Sequence, residues 1–555
     1  MKGEIVMKTS IDKLFLGKNI YTMVAEDDKV EAIGVKDGKI VFAGAKAEAE
    51  EKFEAAEVIE VADDQIMLPG FGDSHLHFYA YCQTLTTVDL AGCKTKAEAL
   101  KRLADKAKET PEGMWIKGSN FDQSKWSDCE DQIPTRHDLD QASDKHPIVI
   151  KRCCLHTLVA NTMALEKAGI GKGYVFGVGG TVELEADGTP NGIMREQASK
   201  IYDELIPDPL TDPAIKKDLM VKALKDVSSK GVTMLHTYAA EIWKYTEDFD
   251  DYQALDDEGL LPVRMTICLD ELFEKPELTA EQLADPYRKV QMGTYKIFTD
   301  GSLGSRSAAL MEPYADDPST CGIMVIAQDD LNEKTWTGYK QGLQPATHCI
   351  GDAGMEAAIQ AIEYTLAKAR ESGMSEEEIA ARLPFRLIHA QMVNEDQIAR
   401  LKKLPVILDI QPVFLNTDLH WVEERIGERS KMSYLWRRYI DEGFILTGGS
   451  DCPVEGYDPR PGIYGAVLRQ DPADGKPEGG WLPDQKVSMY EAVCMYTKNI
   501  PYANGEQDRM GTLEVGKFAD MVIMDRDIFA RPAEDVLNMQ VEKTYLAGKE
   551  VYSAK

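Results

Sequence analysis

Two histidines stand one residue apart, just after an acidic residue, in the segment FGDSHLHF at residues 71–78. The chain has only nine histidines among its 555 residues, so His75 and His77 form an unusual pair. In an extended strand the side chains at positions i and i+2 point to the same face, and both imidazoles can therefore bind one cation. Two ordinary polar residues at the end of a strand are the alternative interpretation of so short a motif.

Four further residues able to bind a metal lie at the ends of short apolar runs: Lys296 in TYKIFTDGS, His348 in PATHCIGD, His389 in FRLIHAQM and Asp451 in FILTGGSD. Neutral imidazoles with a carboxylate suit zinc or a similar divalent ion. Such an ion lowers the pKa of a water molecule from 15.7 to about 7, which supplies hydroxide at neutral pH. Asp451 could then act as the catalytic residue that accepts the proton and passes it to a leaving group.

Lys296 needs a separate explanation, because a lysine ammonium would repel metal ions. Either it is a strand residue held in a salt bridge, or CO2 has converted its amine into a bridging carboxylate.

The elements that must position these residues alternate between apolar runs and helical patterns, which predicts parallel βαβ units. The candidate strands are MLPGFGDSH, PIVIKRCC, GVTMLHTY, VRMTICL, TYKIFTDGS, PATHCIGD, FRLIHAQM, VILDIQP and FILTGGSD. The connection from MLPGFGDSH to GVTMLHTY is far longer than a normal βα connection. We therefore assign PIVIKRCC, which lies between them, to an insertion of about residues 80–225. Eight strands remain for a barrel, with the six candidate ligands at the carboxyl ends, where such barrels place their chemistry.

Both ends of the chain are rich in short strands with turn signals, Asp37-Gly38 near the start and Ala547-Gly548 near the end. We therefore predict that residues 1–66 and 500–555 pair into one small β domain. Residues 67–499 would form the barrel with its insertion.

The composition excludes several classes of function. A formal net charge of −31 argues against nucleic-acid and anionic-membrane partners, which require a cationic surface. Neither a signal peptide nor an apolar run of membrane-spanning length is visible. The ten cysteines are scattered without a C-x-x-C pair, which favours reduced thiols and a cytoplasmic location. The expected partner is a small-molecule substrate. A homodimer is compatible with the sequence, but no feature of it supports one.

The chain resembles the amidohydrolase superfamily, in the YtcJ-like branch of amidohydrolase family 3 that includes N-substituted formamide deformylases. The segments that carry the resemblance are LPGFGDSHLHF, YKIFTDGSLGSRSAALMEPY, HCIGDAGMEAAIQAIE, RLIHAQ, LTGGSDCPV and GTLEVGKFADMVIMDRD. The resemblance implies a (β/α)8 TIM-like barrel with a small β-sandwich built from both termini.

The resemblance also implies an activity and a set of ligands. The expected activity is hydrolysis of a C–N bond in an amide, an N-formyl compound or a cyclic amide, with two zinc ions per chain. The implied ligands are His75, His77, Lys296 as a carboxylated bridge, His348, His389 and Asp451. A mononuclear deaminase or isomerase on the same fold is the alternative, and Lys296 discriminates between the two. A non-catalytic protein on this barrel would be expected to lack some of the six ligands.

Four residues are candidates for substrate binding. The resemblance carries over His156 and Asn161 as pocket residues. Asp300 could orient a ligand or a water, although an Asp-Gly turn explains it as well. Arg306 could bind a substrate carboxylate, with a surface salt bridge as the alternative.

Overall fold

The computed structural model describes residues 8–129, 132–152, 157–177, 179–238, 248–269, 285 and 287–554. Within these residues the strands, numbered along the chain, are β1 (Thr9–Tyr21), β2 (Lys29–Lys36), β3 (Lys39–Gly44), β4 (Phe53–Glu60), β5 (Ile66–Pro69), β6 (Phe71–Leu76), β7 (Thr87–Asp89), β8 (Ile116–Phe121), β9 (Ile148–Arg152), β10 (Thr157–Ala160), β11 (Gly180–Leu184), β12 (Pro190–Glu196), β13 (Val232–Tyr238), β14 (Arg264–Leu269), β15 (Val290–Phe298), β16 (Gln344–Cys349), β17 (Phe385–His389), β18 (Val406–Ile410), β19 (Leu446–Gly448), β20 (Met521–Met524), β21 (Val541–Leu546) and β22 (Lys549–Ser553).

The α-helices of the same residues are α1 (Lys46–Lys52), α2 (Phe78–Thr84), α3 (Lys96–Glu109), α4 (Arg136–Ala142), α5 (Thr162–Lys167), α6 (Ile201–Leu205), α7 (Pro213–Ser229), α8 (Phe249–Asp257), α9 (Gln328–Lys340), α10 (Asp352–Glu371), α11 (Glu376–Ala380), α12 (Glu395–Leu401), α13 (Leu415–Asp418), α14 (Val422–Ile426), α15 (Trp436–Asp441), α16 (Pro459–Leu468), α17 (Met489–Met495) and α18 (Asn499–Ala503). Among these helices none is both long and apolar enough to cross a membrane.

Eight parallel strands form the barrel, in the order β6, β13, β14, β15, β16, β17, β18, β19. A bridge between Leu76 and Cys452 links the end of β6 to the segment after β19 and nearly closes the ring. Strands β13, β14, β16 and β17 are buried along their whole length, as expected for parallel strands covered on both faces. The predicted TIM-like α/β barrel is confirmed.

Helix α10 shows how the outer layer is specified. Its buried residues Met355, Ile359, Ile362 and Leu366 recur every three or four positions, which places them on one face of the helix. Lys368 and Arg370 occupy the last turn, where positive charge complements the helix dipole. The helix follows β16 closely in sequence, so its packing helps to position the strand that carries His348.

The structure divides the predicted first barrel strand, MLPGFGDSH, into two. β5 pairs with β20 in the terminal sheet, with Leu68 opposite Val522, whereas β6 belongs to the barrel. The chain changes sheets at Gly70, where a Cβ atom would lie only 2.2 Å from Oγ1 of Thr233. The first barrel strand therefore begins at Phe71, and the close approach of Thr233 requires a residue without a side chain at Gly70.

The terminal sheet contains strands from both ends of the chain, in the order β22, β21, β20, β5, β1, β2, β3, with β4 beside β1. Both turns expected from the sequence are two-residue hairpins, in which Asp37, Gly38, Ala547 and Gly548 have φ angles of 48°, 75°, 47° and 70°. Positive φ at both positions matches the right-handed twist of the flanking strands. The β-sandwich arrangement of this domain and the predicted domain boundaries stay predictions.

Residues 81–220 form a compact unit of their own. Its sheet has six strands in the order β11, β12, β10, β9, β8, β7. Leu103 on α3 packs in one core with Phe121, Ile148 and Ile150 of the sheet. Strand β9 corresponds to the segment PIVIKRCC and lies in this unit, as the insertion hypothesis requires.

Candidate metal centre

His75, His77 and Asp451 form a compact group of metal-ligating atoms, all within 4.8 Å of one another. Oδ1 of Asp451 lies 3.2 Å from Nε2 of His75 and 3.0 Å from Nε2 of His77. The backbone nitrogen of Asp451 donates to the carbonyl of His75 at 2.7 Å, which ties the segment after β19 to β6. Asp73 strengthens this link, because its Oδ1 accepts from the backbone nitrogens of His75 and Ser450.

The three other predicted ligands lie at the same end of the barrel. Nζ of Lys296 is 3.5 Å from Nε2 of His75. The ring centroids of His348 and His389 are 4.4 Å apart, and those of His75 and His389 are 5.5 Å apart. The structure therefore brings all six residues together, from five different barrel strands.

Two of the six have a left-handed backbone, with φ of 72° at His389 and 59° at Asp451. Such conformations cost about 1–3 kcal/mol each in residues other than glycine, and they cluster at functional sites. The fold therefore imposes this backbone at the positions where the strands end.

Hydrogen bonds to one ring nitrogen fix the tautomer of three imidazoles. Nδ1 of His77 lies 2.7 Å from the carbonyl of Tyr238, and Nδ1 of His389 lies 2.5 Å from Oε1 of Gln411. Since both partners are acceptors, Nδ1 carries the proton in these rings and Nε2 carries the lone pair that a metal needs.

His348 is oriented the other way round. Its Nε2 lies 3.2 Å from the carbonyl of Gly301 and 3.3 Å from Oδ1 of Asp300. Nε2 is therefore the protonated nitrogen, and Nδ1 is the metal-ligating atom that His348 can offer.

Burial keeps His75, His348 and His389 uncharged. It lowers the pKa of His348 to about 3 and those of His75 and His389 well below the ordinary value. The positive charge of Lys296 lowers the pKa of His348 and of His75 further. Burial raises the pKa of Asp451, but its contacts with His75 and His77 outweigh that effect and hold it well below 3.8. At neutral pH these three neutral imidazoles and the Asp451 carboxylate are in the protonation states that bind zinc.

Lys296 is unusual among lysines in being almost fully buried. Burial lowers its pKa from 10.5 to about 8. Its Nζ lies 4.9 Å from the ring centroids of Tyr238 and of Phe298. An amine that loses its proton this readily is the form that CO2 can carboxylate.

The amidohydrolase family model matches residues 61–552 of the chain. The chain belongs to the amidohydrolase family.

Relatives of this amidohydrolase match it over nearly its whole length. The Bacillus subtilis protein YtcJ, whose name places it among the amidohydrolases, is 32% identical over 97% of this chain and 98% of its own. N-substituted formamide deformylase of Arthrobacter pascens is 26% identical and covers 97% of both chains. A solved structure of a metal-dependent hydrolase from Pyrococcus horikoshii matches with a TM-score of 0.70 and 26% identity, over 94% of this chain and 98% of its own.

The donor set of this amidohydrolase fits a divalent metal ion. Three ligand atoms already lie within the span of one coordination sphere, and further imidazoles and an amine adjoin them. The charge state of the donors and the hydrogen bonds behind them are those of metal ligands. The protein is a metal-dependent hydrolase.

The four predicted substrate residues are placed differently from one another. Asn161 is fully buried in the insertion: its Oδ1 accepts from Ile148 N and Ala164 N, and its Nδ2 donates to the carbonyls of Ser143 and His146. Asn161 thus caps helix α5 with a fully hydrogen-bonded amide, and its role as a pocket residue stays a prediction. His156 lies outside the described residues.

The two other candidates lie in the loop after β15. Arg306 donates to both carboxylate oxygens of Asp316, at 3.1 and 2.8 Å, which is the salt bridge named as the alternative, and its binding of a substrate carboxylate stays a prediction. Asp300 is buried beside the metal centre and accepts from the backbone nitrogens of Ala309, Ile350 and Gly351. Because its Oδ1 also lies 3.3 Å from Nε2 of His348, Asp300 orients that imidazole in addition to forming a turn.

Sequence reasoning did not find Tyr238 and Gln411, which orient two of the imidazoles. Tyr238 also stacks on His75, with ring centroids 4.2 Å apart. Each residue is at or just past the end of a barrel strand, in GVTMLHTY and VILDIQP. The signal that could have identified them is a polar or aromatic residue at the carboxyl end of a predicted barrel strand.

Proposed function

We propose that this amidohydrolase hydrolyses a C–N bond of a small-molecule amide, N-formyl compound or cyclic amide, with two zinc ions held by His75, His77, Lys296, His348, His389 and Asp451. The observation that carries the proposal is the position of the Lys296 amine, buried and 3.5 Å from His75, in a site of five other potential ligands. A carboxylated Lys296 would replace a repelling cation with a bridging anion. The likeness to the formamide deformylase supports the choice of substrate class.

Carboxylation of Lys296 requires only CO2 and the neutral form of its amine. The neutral amine attacks CO2, a new N–C bond forms, and one proton leaves the nitrogen to solvent. The burial that lowers the pKa of Lys296 increases the fraction of neutral amine near neutral pH.

Asp451 is the residue proposed to move the proton. When bound, the divalent metal supplies Lewis-acid chemistry, acidifying water and polarising the substrate carbonyl. The Asp451 carboxylate, ionised and 3.0–3.2 Å from two imidazoles, accepts a proton from the attacking water and donates it to the departing nitrogen.

A mononuclear deaminase or isomerase is the second candidate function. It is favoured by the finding that only His75, His77 and Asp451 form a group within 4.8 Å among the described residues, which suits a single ion. In that case Lys296 would remain an unmodified amine.

Metal stoichiometry separates the two candidates. Protein purified with bicarbonate and without chelators should contain about two zinc ions per chain, and the Lys296→Ala variant should contain fewer. Lys117→Ala is the matched control, because Lys117 is also a lysine with a pKa lowered by burial but belongs to the insertion. One metal per chain, unchanged in Lys296→Ala, would favour the mononuclear alternative.

Turnover then tests the substrate class. The metal-loaded protein should hydrolyse at least one member of a panel of N-formyl, N-acyl and cyclic amides, releasing an amine or opening the ring, and Asp451→Asn should lose this activity while keeping its fold. No hydrolysis of any member of the panel by a protein with two metals would refute the C–N assignment. The eight described cysteines that form no disulfide are compatible with the cytoplasmic location we propose.

A further inference from the structure

A fully buried ion pair lies inside the barrel, below the layer of the metal ligands. Arg386 is on β17, three residues before His389, and donates from Nη2 to Oδ2 of Asp409. Asp409 is on β18, two residues before Gln411. Neither charged side chain is exposed to solvent. Because the barrel strands are parallel, the pair lies deeper in the barrel than the ligands at the strand ends.

Stability does not account for this ion pair. The interiors of such barrels are usually filled by bulky, branched apolar side chains. Removing two charges from water is costly, and apolar residues of similar volume often stabilise a protein as well as a buried ion pair does, or better. Nε of Arg386 also lacks a hydrogen-bond partner among the described residues, which adds to the cost of burial. We therefore expect the pair to serve a purpose other than stability.

The contacts of the pair converge on Ser74, the residue before His75. Nη2 of Arg386 donates to the carbonyl of Ser74 at 2.7 Å. The hydroxyl of Ser74 in turn donates to Oδ1 of Asp409, which also accepts from the hydroxyl of Thr447 at 3.1 Å. Ser74 is itself fully buried. The ion pair thus holds both the backbone and the side chain of the residue that precedes the first histidine ligand.

The strand that carries Ser74 is irregular at this point. Along β6 the segment from Asp73 to Leu76 spans three steps, whereas the residues opposite them on β13 span two. Neither Ser74 nor His75 has a partner in the register of these two described strands. Such bulges occur next to active sites, where they redirect side chains. Contacts outside this ladder must therefore fix the position of Ser74, and the ion pair supplies them.

We propose that Arg386 and Asp409 are positioning residues for the metal centre. By holding Ser74, they set the irregular end of β6 so that His75 and His77 direct their Nε2 atoms at one ion. The pair then contributes to metal affinity rather than to the stability of the fold. This inference rests on the metal-binding part of the proposed function, and it is independent of the substrate and of the number of ions.

The zinc affinity of the metal-free protein tests the proposal. The double variant Arg386→Met, Asp409→Leu keeps the net charge of the site, so a change in affinity cannot come from a change in total charge. Competition with a chromophoric chelator should show zinc binding weakened by about 10-fold or more, as is typical when contacts behind metal ligands are lost. Zinc affinity equal to that of the wild type in a folded double variant would overturn the proposal.

A second buried ion pair provides the matched control. Arg264, the first residue of β14, donates to both carboxylate oxygens of Asp520 at 2.7 and 3.2 Å. The two side chains are 6% and 3% exposed, but β14 begins at the end of the barrel opposite the metal ligands. The double variant Arg264→Met, Asp520→Leu should therefore keep the zinc affinity of the wild type. An equal loss of affinity in both double variants would indicate a general loosening of the barrel and would refute the positioning role.

Cobalt spectroscopy separates positioning of the ligands from folding. Co2+ binds the same kinds of donor as zinc, and its visible absorption depends on the geometry of the ligands. At saturating cobalt the Arg386→Met, Asp409→Leu protein should give a spectrum that differs from that of the wild type. The Arg264→Met, Asp520→Leu control should give the wild-type spectrum.

Ser74→Ala is a second variant that keeps the test available if the first double variant does not fold. It removes one hydrogen bond and leaves the ion pair in place, so it should weaken zinc binding and shift the cobalt spectrum in the same direction, by a smaller amount. Wild-type zinc affinity and a wild-type cobalt spectrum in Ser74→Ala and in the double variant would overturn this inference alone. A wild-type protein that binds no zinc would refute the proposed zinc site together with it.

Discussion

The carboxylate of Asp300 lies 3.3 Å from Nε2 of His348 and accepts three backbone hydrogen bonds from the loops around it. It therefore holds Nε2 of the imidazole, which leaves Nδ1 as the nitrogen of His348 that could bind a metal. Asp300→Asn removes the charge and one acceptor while keeping the shape. We expect the metal affinity to fall about 10–100-fold, as is typical when the partner of a ligating histidine is lost.

Titration of the metal-free Asp300→Asn protein with zinc would measure this loss. Asp316→Asn is the control, because Asp316 lies in the same loop but pairs with Arg306 and Arg425. An affinity equal to that of the wild-type protein would show that Asp300 does not position His348.

Arg386 and Asp409 form a fully buried ion pair inside the barrel. Arg386 also donates to the carbonyl of Ser74, the residue before His75, and Ser74 donates to Asp409. Arg386→Met leaves the Asp409 charge without its partner and should destabilise the protein by about 3–5 kcal/mol. Replacing both residues, with Arg386→Met and Asp409→Leu, should restore a large part of that loss.

The midpoint of urea unfolding would measure both variants against the wild type. A double variant that is no more stable than Arg386→Met alone would show that the uncompensated charge is not the cause.

Lys296 predicts a specific dependence of stability on pH. Its pKa is about 8 in the folded protein and 10.5 in an ordinary environment, so between these values the unfolded chain holds a proton that the folded chain has lost. The free energy of unfolding therefore rises with pH across this window, by an amount on the order of 3 kcal/mol. The gain is complete above pH 10.5 and absent below about pH 8.

Metal-free protein in bicarbonate-free buffer is the sample for this measurement, with Lys296→Met as the reference. The difference in free energy of unfolding between the two proteins should shift in favour of the wild type from pH 8 to pH 10.5. A constant difference over that range would contradict the lowered pKa.

The hairpin at Asp37 and Gly38 supports the joining of the two chain ends. Gly38 has a φ of 75°, and a Cβ atom there would lie 3.0 Å from Cβ of Ala547 in the C-terminal hairpin. Gly38→Ala should cost about 1–2 kcal/mol, the penalty for a side chain in the left-handed region. Asp37→Asn is the control, because asparagine tolerates that region.

Thermal unfolding would compare the two variants, and the metal content of the folded proteins should be equal. An equal loss of stability in Asp37→Asn would point to the side chain of Asp37 instead of the backbone of Gly38.

The sequence by itself determined the barrel and the gathering of the six candidate ligands at one end of it. Apolar runs alternating with amphipathic helices specify parallel strands, and the carboxyl ends of such strands meet at one face. His348, His389 and Asp451 could therefore be placed beside His75 from local pattern alone. The two hairpin turns could also be predicted from local sequence, because a turn with positive φ at two adjacent residues favours Asn, Asp and Gly.

Only the tertiary structure decided which side chains meet. Ser74 and Asp409 are 335 residues apart in sequence, yet their side chains are hydrogen-bonded, and no local pattern encodes such a pair. The sequence also left the partner of Arg306 open, and the structure shows its guanidinium group donating to Asp316. The division of the first strand at Gly70 depends on the approach of Thr233. The periodicity of apolar residues indicates where a helix or strand lies. The partners of a side chain depend on long-range packing, which a single sequence does not display.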